Sequence, residues 1–148
     1  MKRFATSLLI GLAVAGGTSA VVAPALAAGG TKVRIRHTSL GPILVNGRGF
    51  TLYVFTRDRR NRDKCHGISG CPAIWPLLTT NGRPMAGKGV KRSLLGTIKV
   101  GGSRQVTYAG HPLYRYSGDF GPGSTSYVGF HEFGGTWYAI NAKGKVVK

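Results

Sequence analysis

Two aspartates stand at matching places in two near-copies of one short pattern, and they are the first residues to weigh for chemistry. The stretch Gly49-Phe50-Thr51-Leu52-Tyr53-Val54-Phe55-Thr56-Arg57-Asp58 returns as Gly110-His111-Pro112-Leu113-Tyr114-Arg115-Tyr116-Ser117-Gly118-Asp119. Both read Gly-x-x-Leu-Tyr-x-aromatic-x-x-Asp. A symmetric pair of acids can ligate a cation or do acid–base work. A carboxylate just beyond a strand can equally accept backbone N–H groups and fix a turn. Retention of Asp58 and Asp119 in both copies favours the turn, because an active site seldom needs both halves identical. The surplus of arginine is expected to keep both ionised, which suits neither a general acid nor a proton shuttle.

The remaining chemistry-bearing side chains are sparse. His37, His66, His111 and His131 are the histidines. Together with tyrosine and methionine they could hold copper or haem in an exported protein. There is no Cys-x-x-Cys-His and no paired histidine spacing, so His66, His111 and His131 stand only as weak metal candidates and no cofactor is expected. Cys65 and Cys71 are the only cysteines. A pair this close in an exported chain is most simply a disulfide, and closing so small a loop stabilises by about 2 kcal/mol. A metal would want more ligands, and Cys-His-x-x-x-x-Cys is not a zinc spacing. Gly-x-Ser-x-Gly and Ser-x-x-Lys are absent. Four acids in the whole chain leave no convincing carboxylate pair for glycoside cleavage. The glycine-rich Gly118-Asp119-Phe120-Gly121-Pro122-Gly123 lacks the helix and the Gly-Lys-Ser/Thr end of a phosphate loop and reads as a wide turn. No catalytic constellation remains, and a non-enzymatic role is expected.

Charge is the outlying property. Lys and Arg number 21 against four acids, a formal charge of +17. Such a surface is drawn to polyanions. The run after the first motif concentrates it: Arg57, Arg59, Arg60, Arg62 and Lys64 with no apolar residue among them. After the second motif the same place reads Phe120-Gly121-Pro122-Gly123-Ser124, so the basic run is free of the repeat's structural duty. These five bases are candidates for contact with an anionic envelope polymer or lipid surface, without specific nucleic-acid recognition; the alternative is a solvated loop with no particular partner.

The elements that must position these residues follow from a repeat. The only two tryptophans, Trp75 and Trp137, follow their motif aspartates at spacings that differ by one residue. Repeat one is placed at about 32–82, a glycine-rich basic linker at about 83–93, and repeat two at about 94–148. Lys32-Val33-Arg34-Ile35-Arg36 alternates at the period of a half-buried strand. Asn46-Gly47 between apolar runs signals a hairpin. In the first motif Thr51, Tyr53 and Phe55 share one strand face and Leu52 and Val54 the other; both are bulky, so the strand is expected to be covered on both sides. Most repeated aromatics (Tyr53, Phe55, Tyr114, Tyr116, Trp75, Trp137) are expected in the core, although exposed ones could stack on sugars or bases. With no amphipathic helix and many glycine turns, the fold expected is all-β: two repeats of about four short antiparallel strands, sandwich or barrel-like, with pseudo-twofold symmetry.

Ahead of this domain, Met1-Lys2-Arg3, the apolar run from Phe4 to Ala15 and Ala25-Leu26-Ala27 have the form of a secretory signal peptide over residues 1–27. The other reading is an uncleaved anchor; Gly16-Gly17 and Pro24 interrupt the run, which falls short of a span. The mature chain, 28–148, is expected to be a single secreted domain and a monomer. No cysteine near the cut can carry a lipid.

Tyr53-Val54-Phe55-Thr56-Arg57-Asp58, Tyr114-Arg115-Tyr116-Ser117-Gly118-Asp119 and Cys65-x-x-x-x-x-Cys71-Pro72-x-x-Trp75-Pro76 resemble a bacterial envelope family of secreted and lipoprotein repeats marked by Tyr-x-(Phe/Trp/Tyr)-x-x-Asp. The resemblance implies an exported or envelope protein and no defined activity. Two functional expectations follow: a binding module with a cationic surface, or a small metal- or haem-associated redox protein of the envelope.

Overall fold

The computed structural model describes residues 29–148; the signal-peptide segment expected at 1–27 lies outside the described residues. Each repeat opens with a hairpin. β1 (Lys32–Thr38) and β2 (Gly41–Asn46) pair from Val33↔Asn46 to Thr38↔Gly41. In β1, Val33 is buried and Ile35 half-buried while Lys32, Arg34 and Arg36 face water, the alternation that a one-sided strand requires. In repeat two β5 (Leu95–Val100) and β6 (Ser103–Tyr108) pair from Leu95↔Tyr108 to Val100↔Ser103. A tight turn then carries each hairpin into its motif. Asn46 Oδ1 accepts the Arg48 and Phe50 N–H groups, closing the turn expected at Asn46-Gly47. The leading glycines of the two motifs have φ of 91° at Gly49 and 83° at Gly110, where an L side chain is strained.

Each motif first lies against its own hairpin: Leu52 N–H donates to Leu44 O at 3.1 Å, and Leu113 N–H to Val106 O at 3.0 Å. The two motifs then meet each other, Tyr53 N–H donating to Tyr114 O at 2.9 Å and Tyr114 N–H to Tyr53 O at 3.0 Å. Beyond that point each motif pairs with the tryptophan segment of the opposite repeat. β3 (Tyr53–Phe55) runs antiparallel to β9 (Gly135–Ile140), with Phe55 opposite Trp137. In the other half Tyr114 bridges Leu77, and Arg115 and Ser117 N–H donate to Pro76 O and Ile74 O, both at 2.9 Å. The equivalence gives the pseudo-twofold arrangement expected of two repeats, but the halves trade their last strands.

The halves differ where the sequence differs. Repeat two offers six consecutive ladder residues in β9, edged by β8 (Phe130–Glu132) and β10 (Val146–Val147). Repeat one has Pro72 and Pro76 flanking Trp75. They remove N–H donors, and one helical turn, α1 (Cys71–Ile74), with an irregular bridge takes the place of a strand. The polar linker expected at 83–93 is partly structured: β4 (Met85–Ala86) adds parallel to β1, and Val90 is buried. Short β7 (His111–Pro112) extends the second hairpin sheet. The fold is all-β and sandwich-like, not a closed barrel. Among the described residues no helix is long and apolar enough to cross a membrane.

The core divides by the strand period. Leu52, Val54 and Leu113 join Val33, Leu44 and Val106 in an aliphatic cluster. Tyr53, Phe55 and Tyr114 join Trp75, Trp137, Cys65 and Cys71 in an aromatic one. The motif strand thus has both faces covered. Cys65 and Cys71 are bonded and wholly buried. Leu52 and Leu113 are equally inaccessible at equivalent places, so Leu52→Ala and Leu113→Ala should each cost about 2–5 kcal/mol in denaturant unfolding. A large loss in one and none in the other would contradict the two-repeat core. Reduction of Cys65–Cys71 should lower stability by about 2 kcal/mol, read from unfolding with and without reductant.

Candidate functional site

The strand exchange brings six aromatic rings and three carboxylates to the seam between the repeats. Trp75 and Trp137 stack with centroids 4.0 Å apart and planes 1° from parallel. Phe55 continues the stack on Trp137 at 4.1 Å, and Tyr116 covers Trp75 at 4.6 Å. Tyr53 meets the edge of Trp75 at 5.2 Å and Tyr114 that of Trp137 at 5.1 Å, the edge-to-face geometry that ring quadrupoles favour. The phenols cross over. Tyr53 O–H donates to Asp119 Oδ1 at 3.1 Å, and Tyr114 O–H to Asp58 Oδ2 at 2.8 Å. Trp75 Nε1–H donates to Glu132 Oε2 at 2.8 Å, whereas buried Trp137 Nε1 has no partner among the described residues.

The sequence displays the repeated Tyr and Asp but not their pairing across repeats. A signal existed. Tyr53 and Asp58 are five positions apart, an odd interval that points them to opposite faces of an extended chain. A buried phenol needs a partner, so the acid had to come from elsewhere. Asp58 also anchors its own loop, Oδ1 accepting the Lys64 N–H at 2.8 Å. Asp119 accepts the Tyr53 hydroxyl at Oδ1 and has the Ser124 side chain beside it.

Burial works against ionisation of both acids, contrary to the expectation that arginine alone decides their state. Desolvation pushes Asp58 up to about 7, against the opposing hydrogen bonds from Lys64 and Tyr114. Desolvation also raises Asp119, opposed by hydrogen bonds from Tyr53 and Ser124. The arginines lie in water, where they are screened, while the carboxylates sit among rings. Tyr53 and Tyr114 are raised in turn, by burial first and by their aspartates second.

The basic run is less free than its composition suggests. Arg57 Nη1 donates to Phe133 O at 2.9 Å and Arg60 Nη1 to Ala109 O at 3.4 Å, which ties the loop onto repeat two. Arg59 and Arg62 pair through their backbones and, with Lys64, are exposed. Asp63 Oδ1 accepts the His66 N–H at 2.7 Å.

Sequence patterning missed a second basic feature. One surface cleft is lined by Lys32, Arg48 and Arg115 with the polar Thr31, Asn46 and Thr79. A neighbouring cleft shares Lys32 and adds Arg83 and Arg92. Two smaller ones hold Arg104 and Lys99 around Gly102-Ser103. None of these is lined by Asp or Glu. They draw bases from both repeats and from the linker, so no contiguous run announces them.

The weak metal candidates stand in separate surroundings. His66 is exposed in the disulfide loop with its ring beside Gly101. His131 is exposed on β8, Nδ1 lying 3.2 Å from Thr136 Oγ1. His111 is half-buried in β7, where desolvation and then nearby Arg60 lower its pKa. Among the described residues no three His, Cys, Asp or Glu side chains gather to hold a metal ion.

The raised Asp58 carries a pH dependence of stability. Its folded value of about 7 exceeds the ordinary 3.8, so the folded state holds a proton that the unfolded state releases in between. Stability should therefore fall as pH rises from about 4 to about 7. Asp58→Asn, neutral at all pH, should flatten that slope in urea midpoints. An unchanged slope would refute the assignment. Asp58→Ala removes both acceptors and should cost about 1–3 kcal/mol.

A family model described as a secreted repeat of unknown function matches twice, at residues 35–79 and 98–141. No curated protein and no solved structure matches the chain. Each matched stretch contains one Tyr-to-Asp motif and one tryptophan of the central stack. Matched over more than half its length, with its two copies exchanging strands around that stack, the chain belongs to the family of secreted repeats of unknown function.

Proposed function

We propose that this secreted protein is a non-enzymatic binding module whose basic clefts dock on polyanions of the cell envelope, such as a phosphate-bearing polymer or an anionic lipid surface. One observation carries the reading: the acids are turned inward and the bases outward. All four acids of the chain accept hydrogen bonds from tyrosine, tryptophan or backbone N–H groups. The clefts are lined by lysine and arginine alone among charged residues. A surface whose cations lack anionic neighbours keeps its field, and that field concentrates polyanions. Threonine, serine and asparagine around Lys32, Arg48 and Arg104 supply neutral donors to the same oxygens. The module needs neither cofactor nor lipid anchor to act in this way, and it works as a monomer.

Binding to vesicles containing anionic lipid and to a soluble polyphosphate, titrated with salt, tests the reading. Lys32→Gln/Arg48→Gln/Arg115→Gln should weaken binding and reduce the slope of log affinity against log salt by about 1 per lost contact. Arg59→Gln/Arg62→Gln/Lys64→Gln measures the loop separately. Melting temperature should stay nearly constant in the loop variant, because exposed charges contribute about 0–1 kcal/mol each, and should fall only slightly in the cleft variant, where Arg115 is half-buried. Affinity unchanged at every salt in both variants would reject a docking role for the basic surface.

A further inference from the structure

The aromatic centre has an order that packing alone does not demand. Half-exposed Tyr127 lies 3.7 Å, ring to ring, from Tyr116, which is also half-exposed. Tyr116 lies 4.6 Å from Trp75, and Trp75 4.0 Å from Trp137. An unbroken series of electron-rich rings therefore leads from the surface to the two wholly buried tryptophans. At its inner end each tryptophan touches one buried tyrosine, Tyr53 on Trp75 and Tyr114 on Trp137. Each of these phenols already points its O–H at a carboxylate oxygen.

That last contact decides what the series can do. A phenol that loses an electron becomes a very strong acid, so its oxidation is easy only where the proton has somewhere to go. Tyr53 has Asp119 and Tyr114 has Asp58. Among the described residues Trp137 Nε1 has no acceptor, so an electron vacancy there cannot settle by proton loss and passes on; at Trp75 the Nε1–H proton can shift to Glu132 Oε2 and return from it when an electron arrives from a phenol. We infer that the centre is a one-electron donor relay: an oxidising radical at the Tyr116–Tyr127 face takes an electron that is replaced, ring by ring, from Tyr53 or Tyr114.

The step balances without any further reactant. The radical gains one electron and becomes its anion. The phenol O–H bond of Tyr53 or Tyr114 breaks, a carboxylic O–H bond forms on Asp119 or Asp58, and a neutral phenoxyl radical remains. The substrate class is thus the one-electron oxidant, exemplified by the azide or carbonate radical. Both phenoxyl sites are wholly buried, so the product is shielded from coupling to a second chain. The relay is independent of the basic clefts and of whatever they bind.

Pulse generation of azide radicals in a solution of the secreted protein tests this, at a pH well above the Asp58 value of about 7 so that Asp58 is ionised. Indolyl absorption should appear only as a transient and give way to long-lived phenoxyl absorption at a rate independent of protein concentration. That rate should slow in heavy water, because a proton moves with the electron. Electron spin resonance should show a hydrogen-bonded phenoxyl. Tyr53→Phe/Tyr114→Phe, which keeps both rings, should cut the long-lived phenoxyl yield several-fold and leave indolyl radicals. Equal yield and lifetime in that variant would overturn the proposal. Should the variant fail to fold, the unaltered protein still decides: phenoxyl confined to exposed rings, lost by second-order coupling to dityrosine, would overturn it as well.

Discussion

Everything in this molecule depends on two phenols that find their acceptors across the seam. A buried tyrosine hydroxyl without a partner costs what a lost hydrogen bond costs, and a buried carboxylate without one costs more. Tyr53 and Tyr114 satisfy Asp119 and Asp58 reciprocally. To make both bonds, the motifs must lie side by side and antiparallel, as the paired backbone bonds between Tyr53 and Tyr114 hold them. That placement sends each chain onward past the other repeat's tryptophan. The stacking of Trp75 on Trp137 and the exchange of terminal strands are consequences of the same constraint.

The same constraint explains why so basic a protein buries acids. A carboxylate beside an arginine in water would be worth little. Among aromatic rings it orders two halves. With every acid spent at the seam or its adjoining loop, the outside has nothing to offset its lysines and arginines. The inward chemistry of the centre and the outward charge of the clefts are one allocation of a small number of carboxylates.

Much of the fold was legible because repeats double the signal. The alternation in Lys32–Arg36, the turn at Asn46-Gly47 and the bulky pair of faces in Leu52–Phe55 are local properties that the structure keeps. What was not legible is non-local. Nothing near Tyr53 names Asp119 as its partner. Lys32, Arg48 and Arg115 come together only after folding. The ionisation of Asp58 was misjudged because a count of arginines ignores dielectric: proximity in composition is not proximity in space, and desolvation outweighs charges standing in water. The basic loop, conversely, was visible as a run, but the use of Arg57 and Arg60 to hold carbonyl oxygens of the other repeat was not.

The exchange of terminal strands has a consequence for how such chains can be counted. A solitary repeat would present a phenol with no acid, an acid with no phenol, and a strand edge with no neighbour. It could close only on another copy of itself. The two-repeat chain is in effect a dimer whose subunits were joined head to tail, with the stretch around Met85–Ala86 as the splice. Units built this way are complete in pairs. Chains assembled from them should carry even numbers of repeats, and an odd one would leave a surface that recruits a second molecule.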